Sequence, residues 1–409
     1  MIKRLSALML ALLLTFLCAC GEKEPLVDTE PDKEPEHQEQ DPPSEPEKEE
    51  ETPPEEPIDN TASVTHINEY TELVDTSFLQ ENNMVIEAIF PVSDDTLFVF
   101  TTRLTDGRPS ELVQLWPYSL ERAEFTGDML PVGIVGQYPD KVFTDGTVMA
   151  ATLNTETYEY QSLLFIDINT LECEEVSLVH IKHLRGVNIS PDKAHAALST
   201  QEGAIITEMD LATVVARYDG YIPEGGDPDL DYHLPYFTGW LPDGSGAVGK
   251  VLGWEWVYHP FILSLDGSLT VLEEYEFLTA LPYGERLVYF DHFSGVPKGT
   301  SLPDGSDFAE DTTGISIRED GTSYISYLML PSKGNIIAAA ETIMTEESSD
   351  CTVSFYRDGE SFRSLELHGS TNNWASIDYI ALTPDGESAL LLTCATIEAP
   401  RQIYRVSLK

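Results

Sequence analysis

The chain has 409 residues, and its 71 Asp and Glu against 23 Lys and Arg give a formal charge of −48 at neutral pH. That balance excludes nucleic acid as a partner, because phosphate contacts need clustered cations. It equally excludes adhesion of the folded surface to anionic lipid.

The first predicted element is an address. In MIKRLSALMLALLLTFLCAC, Lys3 and Arg4 precede an apolar run from Leu5 to Leu17. This is the pattern of an export signal, residues 1–19, and the run is too short for a comfortable membrane span. Its end, Leu17-Cys18-Ala19-Cys20, resembles the bacterial lipobox, in which the last cysteine is acylated and opens the mature chain. The resemblance implies a lipidated Cys20 and a protein held at the bacterial cell membrane with its domain outside the cytoplasm. Each buried CH₂ of an acyl chain adds roughly 0.8 kcal/mol, so several chains on one cysteine anchor firmly. The alternative is an ordinary signal peptide that ends in cysteine.

Residues 20–60 then read as a tether. From 22 to 60 there are 17 Asp and Glu, three Lys and nine Pro, with almost no apolar residue. Such a segment cannot bury enough surface to offset its ordering entropy, and proline with self-repulsion keeps it extended. Three further cysteines follow, Cys173, Cys351 and Cys394, each alone in an apolar-patterned segment. They read as buried free thiols. A Cys351–Cys394 disulfide is the alternative, and thiol redox chemistry has no C-x-x-C in the mature chain to support it.

Residues 61–409 carry no long helical pattern. Short apolar runs alternate with Gly, Asp, Asn and Pro clusters, the signature of an all-β chain. One phrase recurs: an apolar strand, a tight turn, then a run of small and apolar residues. Its turns fall at Asp95, Asp145, Asp192, Asp243, Gly284, Gly334 and Asp385, spaced 50, 47, 51, 41, 50 and 51 residues apart. A near-constant period of this size with four strands per period predicts a seven-bladed β-propeller, with six or eight blades as alternatives. Proline presets φ for the turn, and Asp-Gly supplies the reversal. The last unit lacks a fourth strand, while residues 66–78 have strand character and no unit of their own. The expectation is that this N-terminal segment supplies the missing outer strand, closes the ring and removes an exposed edge.

The phrases SPDK (190–193), LPDG (241–244) and TPDG (383–386), each before a small-residue strand, resemble the TolB-type and WD-like propeller repeats of bacterial exported proteins. The resemblance covers residues 61–409 and bears on fold, scarcely on function. The first, fifth and sixth units depart from the Pro-Asp-Gly pattern.

Chemistry is sparse. There is no G-x-S-x-G elbow and no H-E-x-x-H. His180 and His183 could share a metal but read as loop histidines, with no acidic ligand nearby. In GGDPDLDY, Asp227, Asp229 and Asp231 alternate like the first half of a calcium loop. Tyr232 and Thr238 stand where glycine and glutamate are required, so an EF-hand is rejected and a looser calcium site remains the metal candidate.

Three long connections, 219–236, 253–259 and 291–311, are expected on one face of adjacent blades. They gather Tyr221, Tyr232, His233, Trp254, Trp256, Tyr258, His259 and His292 near carboxylates. Aromatic rings beside acids bind sugars or peptide segments by stacking and hydrogen bonding; packing between blades is the competing role for the tryptophans. The function expected is a non-catalytic, monomeric binding or scaffold module for a protein or glycan, with no cofactor. The alternative is a carbohydrate-active hydrolase or lyase working through Asp227, Asp229, Asp231 and Glu255 on the same face.

Overall fold

The described chain turns back on itself wherever an apolar run ends in a polar turn. A computed structural model describes residues 63–64, 69–105, 108–222, 233–252, 258–271, 277–283, 286–291, 297–301, 309–310, 323–329, 336–345, 348–357, 360–370, 375–394 and 401–409. Cys20 and the 20–60 segment lie outside the described residues.

After β1 (Ser63–Val64), β2 (Thr71–Leu73) and the five-residue helix α1 (Ser77–Glu81), antiparallel meanders follow one another. The first is β3 (Met84–Pro91), β4 (Thr96–Thr105), β5 (Arg108–Ser119) and the short β6 (Glu124–Phe125). The second is β7 (Leu130–Gln137), β8 (Thr147–Leu153), β9 (Tyr160–Asp167) and β10 (Cys173–Ser177). The third is β11 (Leu184–Ile189), β12 (His195–Thr200), β13 (Gly203–Glu208) and β14 (Val214–Asp219). The fourth is β15 (Leu234–Trp240), β16 (Gly246–Leu252), β17 (Tyr258–Ser264) and β18 (Leu269–Val271). The fifth is β19 (Phe277–Tyr283), β20 (Arg286–Asp291), β21 (Pro297–Ser301) and β22 (Ala309–Glu310). The sixth is β23 (Ser323–Met329), β24 (Ile336–Met344), β25 (Ser348–Arg357) and β26 (Glu360–Ser370). The last is β27 (Ile377–Leu382), β28 (Ser388–Thr393) and β29 (Ile403–Ser407).

The N-terminal strands join the two last sheets. β1 pairs with β26, and β2 pairs with β29 as the fourth strand of its sheet. The first two meanders share one eight-stranded sheet, because β7 changes partner along its length. Its Leu130, Pro131 and Gly133 pair with β5, and its Ile134, Val135 and Gln137 pair with β8.

The recurrent phrase falls between the first two strands of each meander, and where those residues are described it forms a tight turn. In TPDG, Gly386 N–H donates to Thr383 O at 2.8 Å, and Gly386 takes the left-handed conformation with φ 70°. The Asp385 carboxylate accepts from the Thr383 hydroxyl at 2.6 Å and from Glu387 N–H at 2.9 Å. LPDG and SPDK repeat the geometry, with Gly244 at φ 73° and Lys193 at φ 58° in the left-handed position. Within each first strand the register slips once, as between Ile86 and Ala88 or Ile377 and Tyr379. All seven first strands carry such an irregularity, which sharpens the local twist.

Second strands are buried on both faces: Ala389–Leu392 and Ala196–Ser199 are almost wholly inaccessible. Outer strands such as β10 and β14 are largely exposed. Apolar clusters fill the seams between successive meanders: first with second, second with third, third with fourth, sixth with seventh, and seventh with first. β19 packs against β15, β16 and β17, which continues the stack from the fourth meander to the fifth.

Two cysteine expectations change. Cys173 is exposed, because β10 is an outer strand and its glutamates face water, whereas Cys351 is buried and Cys394 half-buried. All three are free, so the alternative Cys351–Cys394 bridge is not formed. Instead the Cys394 thiol donates to the Asp378 carboxylate at 2.6 Å.

Candidate functional site

The end of each sheet opposite the phrase turns is where the long connections lie. β14 leaves the third meander at Asp219 and β15 enters the fourth at Leu234. Between them Tyr221 and His233 form an isolated antiparallel bridge: Tyr221 N–H donates to His233 O at 2.9 Å, and His233 N–H donates to Tyr221 O at 2.7 Å. The bridge pins together the two ends of the acidic segment that holds Asp227, Asp229 and Asp231.

Rings stack on that bridge. Tyr221 lies 5.2 Å from the His233 ring and 6.4 Å from Tyr218, nearly parallel to the latter. Tyr218, from β14, meets Phe261 of β17 edge-on at 5.1 Å. Phe261 is fully buried and anchors the row in the apolar seam between third and fourth meanders. The row thus runs from the core to the surface, where Tyr221 remains 38% exposed and Ile222 42%. His259 pairs with Val251 two positions before Phe261, so it shares Phe261's face of the sheet. Its Nδ1 is buried with no hydrogen-bond partner among the described residues. Arg217, exposed at the same end, is held by Asp219 and by Glu202 at 3.3 Å.

Of the residues anticipated from sequence, Tyr221 and His233 are therefore in contact, and His259 lies on the same seam. Tyr258 and His259 are not in a loop; they open β17, since Tyr258 pairs with Leu252. The 291–311 segment is likewise not one long loop. β20 reaches Asp291, β21 pairs with it through Pro297–Ser301, and β22 pairs with β21. The pairing surface of β20 overrides the loop-like composition of PKGTS. Asp227, Asp229, Asp231, Tyr232, Trp254, Glu255, Trp256 and His292 lie outside the described residues. Tyr218 and Phe261 were not anticipated; an aromatic in the last turn-proximal position of an outer strand, as in VVARYDG, is the signal for the first.

Two other clusters compete for attention. Between the seventh and first meanders, the Arg401 guanidinium bonds Asp378 at 2.9 Å and the Ile86 and Glu87 carbonyls at 3.0 Å. The Glu87 carboxylate pairs with Arg401 at 3.4 Å through one oxygen and accepts from the Thr102 hydroxyl at 2.8 Å through the other. Every group has a partner, and burial together with the Asp378 carboxylate pushes the Cys394 thiol up to about 12. A thiol that stays protonated is a poor nucleophile, so the cluster is a staple between sheets. At the opposite end of the last sheet, a cleft of about 290 Å³ is lined by Glu69, Tyr70, Glu72, Asp385, Glu387 and Arg405. Its cations are already paired, Arg405 with Glu72 at 3.4 Å and Lys409 with Glu387 at 2.5 Å. Among the described residues no group of three His, Cys, Asp or Glu side chains is arranged to hold a metal ion.

No protein-family model and no curated protein sequence matches the chain. Among solved structures, it is similar to the β-propeller domain of Cps50 (Swd1) from Myceliophteria thermophila, at 11% identity and a TM-score of 0.48 over 79% of this chain and 99% of that one. It is also similar to the β-propeller domain of the trilobed protease from Pyrococcus furiosus, at 11% identity and a TM-score of 0.48 over 80% of this chain and 94% of that one.

Proposed function

We propose that the protein is a non-catalytic binding or scaffold module, exported and held at the membrane by lipid on Cys20, that presents the Tyr221 row to a protein or glycan. The observation that carries the reading is the exposed Tyr221 ring, fixed by a backbone bridge, stacked on Tyr218 and in tilted contact with His233. A ring whose orientation is set before binding loses little entropy on contact and can lie flat on a sugar or a peptide side chain. We further infer that the meanders close into a ring of seven blades with β2 as the closing strand. The stacking of successive meanders by shared apolar seams supports that arrangement.

The hydrolase or lyase reading needs two carboxylates roughly 5–10 Å apart in a pocket. Its candidates lie outside the described residues, and no observation favours it. The binding reading is tested by presenting the mature chain to glycan and peptide arrays beside its Tyr221→Ala variant. Capture that depends on Tyr221 is expected; turnover of a model glycoside with no capture would overturn it. Membrane anchoring has its own test: Cys20→Ser should move the protein from the membrane fraction to the soluble one.

A further inference from the structure

The two N-terminal strands touch the outer edges of two neighbouring sheets in succession. Ser63 and Val64 pair with His368 and Leu367 on β26, the outer strand of the sixth meander. Tyr70 then sits at the crossing. Its hydroxyl donates to Ser364 O at 3.3 Å, its ring lies 4.7 Å from the Arg363 guanidinium, and its carbonyl accepts from Ser407 N–H at 2.7 Å. Beyond it, Thr71, Glu72 and Leu73 pair with Val406, Arg405 and Tyr404 on β29, and Val74 N–H donates to Ile403 O at 2.9 Å. One short stretch therefore stitches the sixth sheet to the seventh.

We propose that β1 and the Tyr70–Leu73 stretch act as a two-stage strap, which takes load arriving from the preceding chain first on the sixth sheet and only then on the seventh. The order follows from covalent connectivity: any pull through residues before Ser63 meets β1, then Tyr70, then β2. The strengths are graded the same way. Among the described residues β1 is a two-residue ladder at an edge, whereas β2 has three paired residues, the Val74 bond and the Glu72–Arg405 ion pair at 3.4 Å. A short edge ladder is the first element to open. Its release lengthens the connection by at most about 3.5 Å per freed residue, while β29 keeps its fourth strand. The strap stands independently of the Tyr221 reading and of what is attached at Cys20.

Amide hydrogen exchange on the full chain and on its Val64→Pro and Glu72→Pro variants tests this. Val64→Pro is expected to speed exchange at Leu367–Gly369 about tenfold and to leave Tyr404–Ser407 unchanged. Glu72→Pro is expected to expose Tyr404–Ser407. Pulling between an N-terminal handle and the exposed Cys173 should give a short early extension that Val64→Pro abolishes. Unchanged exchange at Leu367–Gly369 in Val64→Pro, equal opening of both edges in that variant, or a single-step extension would each overturn the proposal.

Discussion

Lys193 occupies the left-handed position that Gly244 and Gly386 hold in the sister turns. A non-glycine residue there is strained by about 1–2 kcal/mol. The side chain offsets this: Nζ reaches Asp145 at 2.7 Å and lies 4.3 Å from the Phe165 ring centroid. Lys193→Ala keeps the strain and loses the contacts, so it should lower the melting temperature more than Lys193→Gly does. The turn aspartates add a pH dependence. The Ser190 hydroxyl and Ala194 N–H hold Asp192 below the usual carboxylate range, and Ser245 N–H and hydroxyl do the same for Asp243. A carboxyl depressed in the folded state stabilises it above the unfolded value, and that stability is lost as pH falls through the carboxylate range towards the folded value. Asp243→Asn should therefore flatten the acid side of a melting-temperature profile, and an unchanged slope would refute this. The turns were legible in sequence because their chemistry is local. The Arg401–Glu87 contact was not, since it joins residues more than 300 positions apart that no short pattern links.

At the scale of elements, burial on both faces marks second strands such as β8, β12 and β28, and runs such as SALLLT announce it. Phe261, on the third strand β17, is fully buried in the seam under Tyr218. Phe261→Ala should cost about 3–5 kcal/mol on denaturant unfolding and loosen the Tyr221 row with it. Arg401→Ala removes the staple between the seventh and first meanders and leaves Asp378 and Glu87 facing each other. A loss of about 1–3 kcal/mol is expected, and it should shrink when Asp378→Ala is combined with it, because the two act through one contact. What sequence did not reveal at this scale was strand identity decided by a neighbour. PKGTS reads as a loop and is a strand because β20 offers it a partner; Tyr258 and His259 read as loop residues and open β17. The partner change within β7 is equally invisible, since both halves have the same apolar alternation.

For the molecule as a whole, the seven turn phrases fall between the first two strands of successive meanders, so the period in the sequence is the period of the architecture. The proposed binding row is separate from that period. The repeated turns sit at one end of the sheets, and the Tyr221 row sits at the other, between the third and fourth meanders. Asp385 accounts for two hydrogen bonds inside its own turn, and its backbone N–H donates to Asp94 at 2.8 Å. Its removal should cost about 1–2 kcal/mol of stability and leave ligand contacts untouched. The most direct test measures both properties on both variants: array capture and thermal melting of the parent, Tyr221→Ala and Asp385→Ala. The expected result is a crossed one, with Tyr221→Ala losing capture at a parental melting temperature and Asp385→Ala melting earlier with parental capture. Undiminished capture by Tyr221→Ala would contradict the assignment of binding to this row.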